Sequence, residues 1–422
     1  MIYSATHLRW ALAALALGAA VTLAAPTRAD DRSRQWVEAW GASPQEPVDP
    51  VTGGTAQSFS NQTIRQIVRV SVGGEKLRLR LTNEYGTAPV TFASVHIAIT
   101  GPGGTILAGS DRLLHFSGQA SVTVPPAAPI LSDTIDYPVD GLSTITVSLY
   151  IPAGGNPGAA TPHSLGVQTA YIAAGDQTTS LTLNKPTTTT SRYFISGVDL
   201  KIENGATIVT LGDSITDGYA STVDANHRWP DFLAQRLQAT RSLRHLAIAD
   251  EGISGNRVLS DGIGPNALSR FDRDVLSRPG VKFVTVLEGI NDIGFPNISA
   301  PLPNLGKEPT SDQIIAGYRQ LIHRAHENGL LIYGGTLTPY KLSGYYTAAG
   351  DAIRNTVNSF IRNSGEFDGV LDFDAATRDP ANPSSFLPAY DSGDHLHPND
   401  AGYAAMANAI NLRLFQLEPG DR

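Results

Sequence analysis

Ser214 stands just past an apolar, β-branched run, Thr207–Leu211, in the stretch Ala-Thr-Ile-Val-Thr-Leu-Gly-Asp-Ser-Ile-Thr-Asp-Gly that spans 206–218. A strand running straight into Gly212-Asp213-Ser214 sets a hydroxyl at the carboxyl edge of a sheet, where open α/β folds place their ligands. Gly212 lets the backbone turn sharply, and Asp213 can cap the turn that follows. A serine becomes nucleophilic near neutral pH only beside a base, and imidazole titrates in the right range. Far downstream, Asp394-His-Leu-His397-Pro398 offers such a base. A carboxylate three residues before His397 can reach back to its Nδ1 from the same loop and fix its tautomer. Between these pieces lie Glu251-Gly-Ile-Ser-Gly255-Asn256 and Glu288-Gly-Ile-Asn291-Asp292. The Asn291 amide brings N–H donors, and glycine at 255 lets a backbone N–H approach a substrate closely. A nucleophile, a base, a group to orient it and donors for an oxyanion are what ester hydrolysis requires.

Taken singly, each piece has a plainer reading. Gly255 is a turn glycine, Asn291 a cap, and Asp394 and His397 a helix cap and a surface histidine. What joins them is the elements that precede them. From Gly205 onward, short apolar runs alternate with amphipathic stretches. The spacing predicts strands over Thr207–Leu211, Arg244–Ala249, Lys282–Leu287, Leu330–Thr336 and Val370–Phe373. It predicts helices over Trp229–Thr240, Ala267–Leu276, Ser311–Asn328, Ala348–Arg362 and Asn399–Phe415. In the third of these helices Ile314, Ile315, Tyr318, Leu321, Ile322 and Ala325 form one stripe. Such alternation means a parallel sheet with helices on both faces, whose successive loops share one edge. Ahead of it, from about Trp36 to Asp199, the texture is all β. Ile64–Val72, Leu77–Thr82, Val90–Thr100, Ser121–Val124, Ser143–Ile151 and Gly166–Ala173 are strand-like runs separated by Gly and Pro turns. Many short strands at this spacing read as a sandwich or jelly roll.

The four pieces, in this order, resemble the marker blocks of the SGNH, or GDSL, esterases and lipases. Gly212-Asp213-Ser214, Gly255, Gly289-x-Asn291-Asp292 and Asp394-x-x-His397 match them over the second half of the chain. The resemblance implies a flavodoxin-like three-layer α/β/α fold. It implies Ser214 as nucleophile, His397 as base and Asp394 as the group orienting it. The Ser214 and Gly255 backbone N–H groups and the Asn291 side chain would form the oxyanion hole. The whole chain, with a β domain ahead of the hydrolase, resembles the secreted branch related to rumen acetylxylan esterases. That implies short acyl esters, with acetylated plant polysaccharide as a substrate. An arylesterase or a short-chain lipase is the alternative within the class. A catalytically inactive carbohydrate- or surface-binding protein is the alternative outside it.

Rival constellations fit less well. Gly252-Ile-Ser-Gly-Asn256 breaks the Gly-x-Ser-x-Gly pattern of α/β-hydrolases, which leaves Ser254 as a turn residue. His323-Arg-Ala-His326 lies on a long helix without a carboxylate helper, so it reads as surface rather than metal site. A switched pair, Asp391 with His395, competes with Asp394 and His397. No metal or organic cofactor is expected. The chain has 422 residues, a formal net charge of −8 and no cysteine. The acidic balance without a basic cluster argues against nucleic acid. The missing cysteine excludes disulfides and thiolate metal sites. Arg9, the apolar run Trp10–Ala25 and Thr27-Arg-Ala29 read as a signal peptide cleaved after Ala29. The expected organisation is therefore a leader over 1–29, a β domain over 30–203 and a hydrolase over 204–422. The mature protein is expected outside the cytoplasm, secreted or periplasmic.

Overall fold

The computed structural model describes residues 34–48, 55–298 and 308–416. The expected leader, residues 1–29, lies outside them.

The described residues between 34 and 203 form two large antiparallel sheets and two small two-stranded ones. One runs in the order Arg34–Gly41, Ile195–Glu203, Gly74–Thr82, Pro129–Leu131, with Ile135–Val139 also paired to Gly74–Thr82. The other contains Thr187–Thr189, Ala170–Ala174, Gln62–Arg69, Thr144–Ile151, Ser94–Ile99 and Arg112–Leu113, in that order. Inward residues of both sheets, among them Val37, Ile64, Leu77, Leu79, Leu81, Val147 and Leu200, share one core. In Gly74–Thr82 the leucines are buried while Arg78 and Arg80 stay partly exposed, as period-2 alternation requires. The run Val90–Thr100 is not one strand. It breaks at Ala93 into Val90–Phe92 and Ser94–Ile99, which pair with different partners.

From Ala206 the chain builds a parallel sheet of five strands in the order Leu246–Gly252, Ala206–Gly212, Val281–Leu287, Leu331–Gly335, Gly369–Leu371. In chain order that is 2-1-3-4-5, the flavodoxin-like arrangement, with its switch point beside the first strand. Ala206–Gly212 is buried throughout, as its continuous apolar run demands. Helices Trp229–Ala239, Ser311–Glu327, Ala348–Asn363 and Asp400–Ala409 accompany the sheet. Thr310 and Gln313 form a capping box at the start of Ser311–Glu327, and the predicted apolar stripe is its buried face.

Two expected helices differ as well. The final helix ends at Ala409, where Ile410 turns extended, and Asn411 starts a separate 3₁₀ turn, Leu412–Phe415. The expected helix Ala267–Leu276 is α only to Phe271 and widens to a π turn over Asp272–Leu276. That widening accompanies burial of Asp274 and Arg270 in one charged network.

The described residues belong to one compact unit. Strand Arg34–Gly41 lies against the edge strand Leu246–Gly252, and Ala247 of that strand joins the core of the antiparallel part. Ser71 Oγ accepts from Ile248 N at 2.8 Å and donates to Ile248 O at 3.0 Å. Among the described residues no helix is long and apolar enough to cross a membrane.

Candidate active site

The three strands nearest the switch point end level with one another. Gly212 pairs with Gly252 on one side and Leu287 on the other. The turns that follow them are then tied across the sheet edge: Asp213 N donates to Leu287 O, and Ile253 N to Gly212 O. Beyond Gly212 the chain enters a one-turn helix, Ser214–Asp217. Asp213 caps it by accepting from Ile215 N at 2.9 Å, and Gly218 closes it in the left-handed region. Ser214 thus heads the helix, where a backbone N–H has no intrahelical partner.

Ser214 Oγ lies 2.8 Å from His397 Nε2, and His397 Nδ1 lies 2.7 Å from Asp394 Oδ2. The other Asp394 oxygen accepts from His397 N, Leu396 N and Ser392 Oγ at 2.8–2.9 Å. Partial burial works against ionising Asp394, but the His397 hydrogen bonds and charge outweigh it and hold the carboxyl well below its usual range. Asp394 is thus a carboxylate at neutral pH, aimed at the imidazole. The loop is anchored behind by Asn399, which caps the last helix through Gly402 N and donates to Ala389 O and Asp391 O. The competing pair is present but turned elsewhere. His395 Nδ1 meets Asp391 Oδ2 at 2.5 Å, His395 takes a positive φ of 62°, and its ring is two-fifths exposed.

Asn291 sits in the first turn of helix Ile290–Gly294 and is buried. Its Nδ2 donates to Asn256 O at 2.9 Å, which ties it to the turn holding Gly255. Gly255 has φ +79°, a left-handed conformation that favours glycine, and a Cβ there would press on the Ile263 side chain. Asp292 holds the same turn, accepting from Val258 N at 2.7 Å and Leu259 N at 3.0 Å. Burial pushes the Asp292 carboxyl up to about 6 against these bonds. Ser254 N donates to Asp217 rather than to any partner of Ser214, in keeping with a turn role. His326 is exposed and pairs with Asp368, as befits a surface residue.

Residues that carry no motif complete the site. Arg270, fully buried, donates to Gly212 O, Glu251 O and Asn256 Oδ1 at 2.7–2.9 Å. One guanidinium therefore joins the ends of the first two strands to the Gly255–Asn256 turn. Nothing in the helical stretch containing Arg270 marks it, because its role depends on which way the helix faces. The Tyr219 ring lies 4.3 Å from the His397 ring, centroid to centroid, and Tyr219 is 45% exposed. A hydroxyl bonded to an imidazole whose far nitrogen faces a carboxylate can give up its proton as it attacks a carbonyl.

This arrangement defines a serine hydrolase on a parallel α/β sheet. Residues 210–405 match the GDSL-like lipase/acylhydrolase family. That segment belongs to the family, and the chain is a serine carboxylic ester hydrolase. No curated protein matches the chain. Among solved structures, an acetylxylan esterase from Geobacillus stearothermophilus is 21% identical, covering 51% of this chain and 96% of its own, with a TM-score of 0.38. A GDSL-like lipase from Bacteroides thetaiotaomicron is 18% identical over 50% of this chain and 87% of its own, at a TM-score of 0.37. A lipolytic protein of the G-D-S-L family from Desulfitobacterium hafniense is 20% identical over 49% and 97%, at a TM-score of 0.37.

Proposed function

We propose that this esterase removes short acyl groups, chiefly acetyl, through an acyl-enzyme on Ser214. The observation that carries the reading is the hydrogen-bonded relay from Ser214 through His397 to Asp394. His397 takes the hydroxyl proton as Ser214 attacks the ester carbonyl, then passes it to the departing alcohol. A water activated by His397 next releases the acid and restores the serine. Asp394 holds the imidazole and balances the charge it acquires. The Ser214 and Gly255 N–H groups and the Asn291 amide receive the oxyanion. The burial of Ser214 and the nearness of the Tyr219 ring favour small acyl groups. The intact relay speaks against a catalytically inactive binding protein.

We further propose that residues 30–203 and 204–422 are its two architectural parts. The apolar run before Ala29 supports export. Acetylated plant polysaccharide is the proposed natural substrate. Nitrophenyl esters of increasing chain length, assayed beside acetylated xylan, test the reading. kcat/KM should peak at acetate or propionate, and acetate should be released from the xylan. A peak at eight carbons or more would make it a lipase. Activity on aryl acetates without any on xylan would make it an arylesterase, a reading the exposed Tyr219 ring favours.

A further inference from the structure

The antiparallel part reaches the back of the active site through one buried histidine. His163 is 4% exposed and pairs, through its strand Pro162–His163, with Arg192–Tyr193. Its Nδ1 lies 2.9 Å from Ser43 O. Its Nε2 lies 3.2 Å from Leu165 O and 3.0 Å from Asp217 Oδ1. All three partners are acceptors, and backbone carbonyls accept only. A neutral ring would turn a lone pair toward one of them in a buried setting, so the geometry calls for a proton on both nitrogens. Asp217, 1% exposed, closes the helix that Ser214 opens, and its other oxygen accepts from Ser254 N at 3.0 Å. The carboxylate thus joins the nucleophile's turn to the turn that carries Gly255.

We propose that His163, as an imidazolium, is a positioning residue that acts through Asp217 to hold the Gly255 N–H in place for the oxyanion. This rests on the oxyanion role given to Gly255 above. Two charged side chains act on the ring. Asp217 favours its charge, while Arg228 opposes it from the loop before the next helix; Arg192, the register partner of His163 on the paired strand, turns its guanidinium to Ile67 O and Gly166 O. Arg228 is itself engaged by Asp250 Oδ2 at 3.2 Å. Burial disfavours the charged ring, but the Asp217 charge and hydrogen bond and the Ser43 carbonyl outweigh it, so it holds its proton above the usual histidine range.

The test uses the full chain. In ¹⁵N-histidine NMR of the native protein at pH 7, His163 should show both ring nitrogens protonated; a neutral ring overturns the proposal. The alkaline fall of kcat on nitrophenyl acetate should coincide with the deprotonation of His163, and a mismatch overturns it. His163→Gln should lower kcat by about 10- to 10²-fold, the scale of a displaced catalytic group. KM should stay nearly constant, because an oxyanion donor acts in the transition state, and the alkaline limb should vanish. A folded His163→Gln with wild-type kcat overturns the proposal. If that variant does not fold, the NMR titration and the native pH profile decide. Ser214→Ala runs alongside: if inert, the esterase reading stands whatever His163 does; if active, that reading itself has failed.

Discussion

At the scale of the residue, the structure separates two Asp–His pairs that lie within residues 391–397. Asp394 meets His397, which meets Ser214, whereas Asp391 and His395 bond each other. We therefore expect His397→Ala to remove nearly all ester hydrolysis and His395→Ala to leave most of it. Ser214→Ala combined with His397→Ala should cost little more than either alone, since members of a relay act as one unit. Asp394→Asn should lose orders of magnitude but less than His397→Ala, through loss of imidazole orientation. These are kcat measurements on folded variants with nitrophenyl acetate, and a dead His395→Ala beside an active His397→Ala would reverse the assignment. Asn291→Ala removes one donor, for which about 10²–10³ in kcat is the usual loss. It also frees Asn256 O from a buried bond, so its thermal stability should be recorded with its rate.

At the scale of the element, the site depends on how closely the Ser214–Asp217 turn approaches the second strand. A Cβ on Gly252 would lie 2.4 Å from Asp217 N and 2.7 Å from its Cα, both backbone atoms that cannot swing aside. Gly252→Ala should therefore push the nucleophile's turn outward, at about 1–3 kcal/mol of overpacking. Activity should fall further than stability, because the displaced turn carries Ser214. Chemical denaturation and kcat on one sample check this; unchanged values in both would mean that the turn has slack. Asp213 shows the same crowding electrostatically. Burial pushes its carboxyl up to about 7, against the bond from Ile215 N and with Asp292 near by.

At the scale of the molecule, the two halves share charge as well as apolar surface. Arg278 meets Glu38 of the antiparallel part and Glu251 of the parallel sheet, each at 3.1 Å, and Ser43 donates to Glu251 at 2.6 Å. Residues 204–422 expressed alone would leave Asp217 without His163 and Glu251 without Ser43. We expect that fragment to show no cooperative thermal transition, while 30–422 unfolds cooperatively; a folded, active fragment would mean that the antiparallel half is dispensable. The buried acids also set a pH dependence. Burial raises Asp213, Asp250 and Glu251 to about 7 and Asp292 to about 6. Unfolded carboxyls titrate near ~4, so between about pH 4 and 7 the native chain holds protons that the unfolded chain has lost. Stability from these groups is complete below that window and lost as pH rises through it. Asp394, held low, acts oppositely but only at more acid pH. The melting temperature should therefore be higher at pH 5 than at pH 8, and a rise over that interval would show that these acids ionise without cost.

Local pattern was enough to read the parallel strands and the amphipathic helix that begins at Ser311. Each of these follows from neighbours in sequence: an apolar β-branched run, or an apolar stripe at helical spacing, whereas the roles of Ser214, His397 and Asp394 came with the family resemblance. The flavodoxin-like strand order came with the family resemblance and not from periodicity, which cannot say which strand lies beside which. Local pattern could not decide where side chains at a distance would meet. Arg270 looks like any helical arginine until the helix faces the sheet edge and three acceptors surround it. The end of the last helix at Ala409 and the π turn after Phe271 were likewise illegible, since both serve packing against other elements. His163, 51 residues before Ser214 in the chain (214 − 163), touches Asp217 only because the antiparallel part lies against the parallel sheet. Such contacts are made by the tertiary fold alone, for burial and charge pairing depend on what surrounds a group in space.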